Sequence, residues 1–217
     1  MVRVISIISL GEGTGKTTTA LNLGLLLHNM NNRVLVFDTD FNKHNMIDHL
    51  DIHNLPVDIG HVLDGESHIN NAIYKHTTGL RIIPSKIHDY QDLSYHFQDL
   101  LGDYDFIILD TPSKQPDLDV VLKNSNEAII VHHPKYSSKI ILDASDLLER
   151  HKILNLGIVL NGVVDGSVDE IFQNPVLVKI PEHKDIVRAF ALKNPVVYTH
   201  PKSLITKRFE LLAKLLG

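Results

Sequence analysis

Near the start of the chain, Gly11-Glu12-Gly13-Thr14-Gly15-Lys16-Thr17-Thr18-Thr19 limits the possible folds more than any other segment. It follows a β-branched apolar run, Val2–Ser9, and opens a segment of helical period, Lys16–Met30. A glycine-rich turn between strand and helix lets successive backbone N–H groups converge on an anion, and the helix N-terminus adds partial positive charge. Lys16 is then placed to reach the β- and γ-phosphates of a nucleotide as a mobile point charge, and the Thr17 hydroxyl to ligate Mg²⁺. Gly11, Glu12, Gly13, Thr14, Gly15 and Thr18 complete the expected phosphate cradle. The bland alternative is a glycine-rich turn that holds no ligand.

The rest of the chain agrees with a strand–turn–helix start. Short apolar runs at Arg33–Asp38, Leu80–Ile83, Asp105–Asp110, Glu127–His132 and Leu156–Asn161 alternate with helix candidates at Gln91–Leu101, Ser137–His151, Lys184–Leu192 and Ser203–Leu216. Continuously apolar strands are expected where a parallel sheet is covered on both faces. The alternation predicts right-handed βαβ units in an α/β fold, a single doubly wound, mostly parallel sheet with helices on both faces. No repeat, low-complexity tract or Gly/Pro/Ser-rich linker divides the 217 residues, so residues 1–217 read as one P-loop domain.

Composition removes several function classes. The absence of Cys excludes disulfides, zinc–thiolate sites, cysteine nucleophiles and cysteine-ligated clusters. A net charge of −5 argues against binding nucleic acid through bulk charge. No run approaches the ~20 apolar residues that span a bilayer, and the N-terminal apolar run is too short for a signal peptide. A soluble, cytoplasmic protein is expected.

The phosphate loop departs from the usual Gly-x-x-x-x-Gly-Lys-Thr, because Leu10 stands at its first glycine. It resembles instead the deviant Walker A motif of the MinD/ParA family of P-loop ATPases. Ala20-Leu21-Asn22-Leu23-Gly24 resembles that family's first helix, and Val34-Leu35-Val36-Phe37-Asp38-Thr39-Asp40 its second strand. Phe106-Ile107-Ile108-Leu109-Asp110-Thr111-Pro112 resembles its Walker B strand and switch II. Gly157-Ile158-Val159-Leu160-Asn161 and Ile180-Pro181-Glu182 match its adenine-side segments, and Pro195-Val196-Val197 precedes the last helix. The resemblance covers almost the whole chain. It implies ATP/ADP and Mg²⁺ as cofactors, a homodimer in the ATP state, and a protein partner that the sequence does not identify.

The same resemblance suggests roles. Asp110 ends an apolar strand, where a carboxylate is poorly solvated without a cation; in the family this position holds Mg²⁺ through a water. Asp40 is implied as the switch I residue that orients the attacking water, and Asp38 as a support of the magnesium region. Asn45 matches a position near that switch. Asn161 offers a donor and an acceptor that suit an adenine edge, and the resemblance makes it the base-recognition residue, with Pro181 and Glu182 closing the other side. Each has a plainer reading: Asp110 as a cap, Asp38 and Asp40 as loop carboxylates capping a helix that starts near Lys43, Asn161 as a turn residue before Gly162.

Two departures bear on mechanism. The family's signature lysine, which reaches the partner subunit's nucleotide much as an arginine finger does, aligns with Gly11, and the following glycine is Glu12. In switch II a lysine, Lys114, stands where the family has glycine. Lys114 is therefore a candidate to replace the missing charge, in cis or in trans, the alternative being a solvated surface residue.

The fourteen histidines invite a metal reading, especially His44, His49 and His53, yet their spacings of five and four give no complete ligand set without cysteine. Ser203–Leu216 is amphipathic, with Leu204, Ile205, Phe209, Leu212 and Leu216 near one face, and is expected to dock on the sheet rather than on a membrane. Lys202, Lys207, Arg208 and Lys214 form only a modest basic group, so no strong nucleic-acid or membrane signal emerges. The expected function is a nucleotide-dependent switch in cell division or partition-type positioning, with hydrolysis slowed by the missing lysine. The alternatives are a nucleotide-binding interaction module that does not hydrolyse, an ATPase assisting metal-cofactor assembly, and a DNA-binding partition protein.

Overall fold

The computed structural model describes residues 2–43, 45–53, 55–89, 93–164 and 173–217. In chain order the described elements are β1 (Arg3–Ile8), α1 (Lys16–Asn29), β2 (Val34–Asp38), α2 (Asn45–Leu50), α3 (Ile59–Leu63), a 3₁₀ turn (Ile69–Ala72), β3 (Tyr74–Lys75), β4 (Arg81–Ile83), α4 (Ser94–Gln98), β5 (Phe106–Asp110), α5 (Asp117–Leu122), β6 (Glu127–His132), α6 (Lys139–Arg150), β7 (Leu154–Val163), β8 (Val176–Pro181), α7 (Lys184–Ala191), α8 (Val196–Thr199) and α9 (Leu204–Leu216).

The strands form one eight-stranded sheet in the order β3-β4-β2-β5-β1-β6-β7-β8. Every pairing is parallel except β3 with β4. The mostly parallel, doubly wound sheet expected from the strand–helix alternation is therefore present. Strand order reverses at β1, which lies between β5 and β6, so the loop leaving β1 opens at the point where connections diverge to the two faces. Because the strands are parallel, the loops after β1, β2, β5 and β7 share that carboxyl edge.

Each strand's apolar run divides between two cores by simple alternation. Ile5 and Ile7 of β1, Val34 and Val36 of β2, and Ile129 and Val131 of β6 face one side, where α1 and α9 pack with Leu23, Leu27, Phe209 and Leu212. Leu35 and Phe37 face the other, against Phe97 and Leu100, while Ala128 and Ile130 meet Ala144 and Leu147 of α6.

Gly24 marks a close approach of α1 to the sheet, since an added Cβ would lie 2.4 Å from Val36 Cγ2. Alanine improves helix propensity by about 1 kcal/mol, but forcing a methyl into a packed core costs about 1–3 kcal/mol. Gly24→Ala is therefore expected to lower stability by about 1 kcal/mol, read from the urea midpoint at constant m-value.

Some boundaries differ from the sequence reading. The helix expected at Gln91–Leu101 is confined to Ser94–Gln98, with Gln91 and Asp92 outside the described residues. β8 was not expected as a strand. It is an edge strand, alternately exposed and buried, that ends on Pro181, a residue that sheets tolerate at such margins. The helices α2, α3, α5 and α8 span only 6, 5, 6 and 4 residues, too few to show a period. In α9, Ile205, Phe209, Leu212 and Leu216 are buried as expected, but Leu204 is 47% exposed because it opens the helix on its outer side. Among the described residues no helix is long and apolar enough to cross a membrane.

Candidate nucleotide-binding site

The loop from Ser9 to Gly15 turns tightly enough to need left-handed backbone at Gly13 (φ +60) and at Gly15 (φ +97), the residue capping α1. No carboxylate or hydroxyl caps the start of α1, so its first N–H groups face the loop's hollow. That hollow is a cavity of about 280 Å³ lined by Gly13–Thr18, Asp40, Lys43, His49 and Ser113. Its walls come from three loops of the carboxyl edge together with α2.

Lys16 enters the cavity from the first turn of α1 and is 8% exposed. Its ammonium donates to Ser113 Oγ at 2.5 Å, and Ser113 Oγ donates in turn to the Gly11 carbonyl at 3.3 Å. Burial pulls the Lys16 pKa below its ordinary value, although Asp110 and Asp40 nearby favour its charge. A desolvated cation of this kind is answered most completely by an arriving anion.

Thr17 Oγ1 donates to Asp110 Oδ2 at 2.6 Å, which binds the phosphate loop to the end of β5. Asp110 is 1% exposed, and its other oxygen, Oδ1, is buried without a hydrogen-bond partner. Burial raises its carboxyl to about 6, against the opposing pull of Lys16 and Thr17. Two hard oxygen donors, one buried and unpartnered, suit a small divalent cation such as Mg²⁺. Among the described residues no group of three or more His, Asp or Glu side chains forms a metal centre; any cation here takes its remaining ligands from phosphate and water. His44 lies outside the described residues.

Asp38 stands beside Asp110 in the β2–β5 register and is fully buried. Its two oxygens accept from the backbone N–H groups of Asp40 and Met46, each at 3.1 Å. It therefore fixes the start of α2, and burial first, then the Asp110 charge, pushes its carboxyl well above the usual range. Asp40 is 6% exposed and borders the cavity directly. The Asn45 side chain lies outside the described residues.

Asn161, in β7, donates from Nδ2 to the Thr14 carbonyl at 2.7 Å. A Cβ on Gly15 would lie 2.2 Å from that nitrogen, so glycine at 15 is what admits the amide. Pro181 ends β8 in register with Val163, and the Glu182 N–H donates to the Val163 carbonyl at 3.2 Å. Asn161 thus touches the phosphate loop itself, whereas Pro181 and Glu182 lie against Val163 at the end of the neighbouring strand and do not line the cavity. Lys114 is not in the cavity: its side chain is 78% exposed, with Nζ 3.2 Å from Glu12 Oε1.

Several participants escaped the sequence reading. Ser113 and Lys43 lay beside named residues but carried no motif of their own. Lys135 and Tyr136, after β6, donate to the carbonyls of Gly13 at 3.2 Å and Glu12 at 2.8 Å, strapping the outside of the loop. Their only signal was a position after a strand on the same sheet edge.

A phosphate-loop site at the reversal of a doubly wound sheet, with a lysine, a threonine and a strand-end aspartate converging on it, defines a P-loop nucleotide-binding protein of MinD/ParA type. The chain belongs to the AAA_31 family (AAA domain), whose profile matches residues 2–150. An uncharacterized ATP-binding protein of Methanocaldococcus jannaschii is 28% identical, the match covering all of this chain and 89% of the relative. The septum site-determining protein MinD of Pyrococcus horikoshii, solved with Mg-ADP, superposes with a TM-score of 0.90 at 28% identity, covering 100% of this chain and 96% of that one. The cell division ATPase MinD of Pyrococcus furiosus superposes with a TM-score of 0.88 at 29% identity, covering 99% and 98%.

Proposed function

We propose that this chain is a Mg²⁺-dependent ATPase that acts as a nucleotide-controlled switch in cell division or in positioning within the cell. The observation that carries the reading is the trio Lys16, Thr17 and Asp110: a buried ammonium and a buried, half-unpartnered carboxylate held together at a glycine-rich helix start. The Mg-ADP complex of the P. horikoshii relative supports the same ligand pair.

The backbone N–H groups of Gly11–Gly15 and the N-terminus of α1, with Thr18, would cradle the phosphates. Lys16 would leave Ser113 for the β- and γ-phosphates, answering its desolvated charge. Thr17 and Asp110 would hold Mg²⁺, with Asp38 supporting Asp110 from the neighbouring strand. The cation supplies neutralisation of charge on the phosphoryl oxygens. Asp40 would orient the water that attacks the γ-phosphate, and Lys114 would lend positive charge to that step. Asn161, Pro181 and Glu182 would border the base. Loss of the γ-phosphate would release the loops after β2 and β5, the proposed basis of a two-state switch and of an ATP-dependent homodimer that recruits a protein partner.

Molar mass by light scattering tests the switch, with Mg²⁺ and either ADP or a non-hydrolysable ATP analogue. The expected result is a monomer with ADP and a dimer with the triphosphate. Unchanged mass with nucleotide demonstrably bound overturns the dimer and favours a non-hydrolysing binding module, a reading to which Gly11 and Glu12 already lend weight. Lys114→Ala is expected to reduce ATP turnover at least tenfold, by analogy with the larger effect of an arginine finger; equal turnover removes Lys114 from the mechanism.

A further inference from the structure

Glu12 is the one acidic side chain of the phosphate loop, and its carboxylate is divided between two other loops. Oε2 lies 3.4 Å from Lys43 Nζ, in the loop after β2, and Oε1 lies 3.2 Å from Lys114 Nζ, in the loop after β5. These are the loops that carry Asp40 and Ser113. A second cavity, of about 330 Å³, is lined by Glu12, Lys43 and Lys114 and shares Asp40, Lys43 and Ser113 with the phosphate cavity. The two hollows therefore adjoin, with Lys43 on the wall common to both. Lys43 also opposes the charge of Lys16 across that wall, which places its ammonium within electrostatic reach of the phosphate pocket.

We propose that the Glu12 carboxylate competes with a nucleotide's terminal phosphate for Lys43 and Lys114, and so sets how strongly the site prefers a triphosphate to a diphosphate. The inference rests on the reading of the site as ATP-binding and deepens it. A phosphate loop needs backbone N–H groups and is indifferent to the side chain at position 12. A carboxylate there satisfies two lysines in the absence of ligand. A γ-phosphate held by Lys16 would draw on Lys43 across the shared wall, and a diphosphate lacks that group. The ATP state then requires exchange of Glu12 for phosphate as the lysines' partner, a charge-for-charge substitution that links the loops after β2 and β5 to the number of phosphates.

The test uses the full chain, with Mg²⁺, and measures Kd for ATPγS and for ADP by displacement of a fluorescent ADP analogue at low salt. Exposed ion pairs of this kind change an equilibrium by up to about fivefold each. Glu12→Gln is expected to tighten ATPγS about fivefold while ADP changes less than twofold, and Lys43→Met in the Glu12→Gln background is expected to cancel the gain. Glu12→Ala provides a second variant with the same expectation. Equal shifts for both nucleotides, or none, overturn the proposal while leaving the ATP reading intact. A wild-type chain that binds neither nucleotide overturns the ATP reading and this proposal with it.

Discussion

Asp110→Asn is expected to raise the stability of the nucleotide-free chain at neutral pH and at the same time to remove its response to Mg²⁺. The first half follows from linkage. The Asp110 carboxyl titrates at about 6 in the folded chain, against an ordinary value of 3.8, because burial disfavours its charge. A shift of about two pK units corresponds to at most about 3 kcal/mol, an upper bound because Asp38 shares the titration and the amide brings N–H groups to the buried Oδ1 position. The folded state binds the proton more tightly than the unfolded state. The benefit is therefore complete below about pH 4 and is lost as pH rises through about 6. Above that the ionised carboxylate is a standing cost, one that the proposed role of Asp110 as a cation ligand accounts for. Asparagine cannot ionise, and its carbonyl still accepts from Thr17 Oγ1. Urea unfolding in a chelator should show the gain at pH 7 and little difference near pH 4. Stability that is unchanged or lower at pH 7 refutes the assignment of Asp110 as a strained cation ligand.

Lys16→Met is expected to weaken nucleotide binding about 100-fold, since each charge-assisted hydrogen bond removed is worth about 1.5–3 kcal/mol. The same variant should unfold at an equal or higher urea concentration than the parent when no nucleotide is present. Its ammonium is buried against a single hydroxyl, Ser113 Oγ, and burial already depresses its pKa. The combination separates a ligand-binding lysine from a structural one, because a structural lysine would cost stability when removed. Affinity within a factor of three of the parent refutes the phosphate reading of the loop.

The architecture was legible because it rests on features with a short sequence period. The strands at Val34–Asp38 and Phe106–Asp110 are buried at every residue, and only a doubly covered sheet makes such runs stable. Gly13 and Gly15 were legible as turn formers, since a Cβ strains the backbone at both. What stayed hidden is set by tertiary proximity. Asp38 sits two residues from Asp40, and their spacing alone suggests two carboxylates on one side of a continuing strand. The strand ends at Asp38 instead, and its carboxylate is consumed by the N–H groups of Asp40 and Met46. Nor does the sequence say that Glu12 meets Lys43 and Lys114, because ion pairs between loops follow from strand order rather than from local pattern. β8 shows a third limit: its run Val176–Pro181 includes Lys179 and ends in proline, a composition that an edge position permits and a central one forbids.

The packing of α9 over α1 has a consequence in the order of synthesis. The helix that carries Lys16, Thr17 and Thr18 relies for its outer cover on Phe209, Leu212 and Leu216, and Arg3 of the first strand donates to the Leu216 carbonyl. Chains emerge from the ribosome N-terminus first and fold as their partners become available. The phosphate loop is among the first segments made, yet its supporting helix stays uncovered on one side until residues 204–216 have left the exit tunnel. Nucleotide capture is therefore expected to begin late and abruptly, with the appearance of α9, so that a partly made molecule holds no nucleotide.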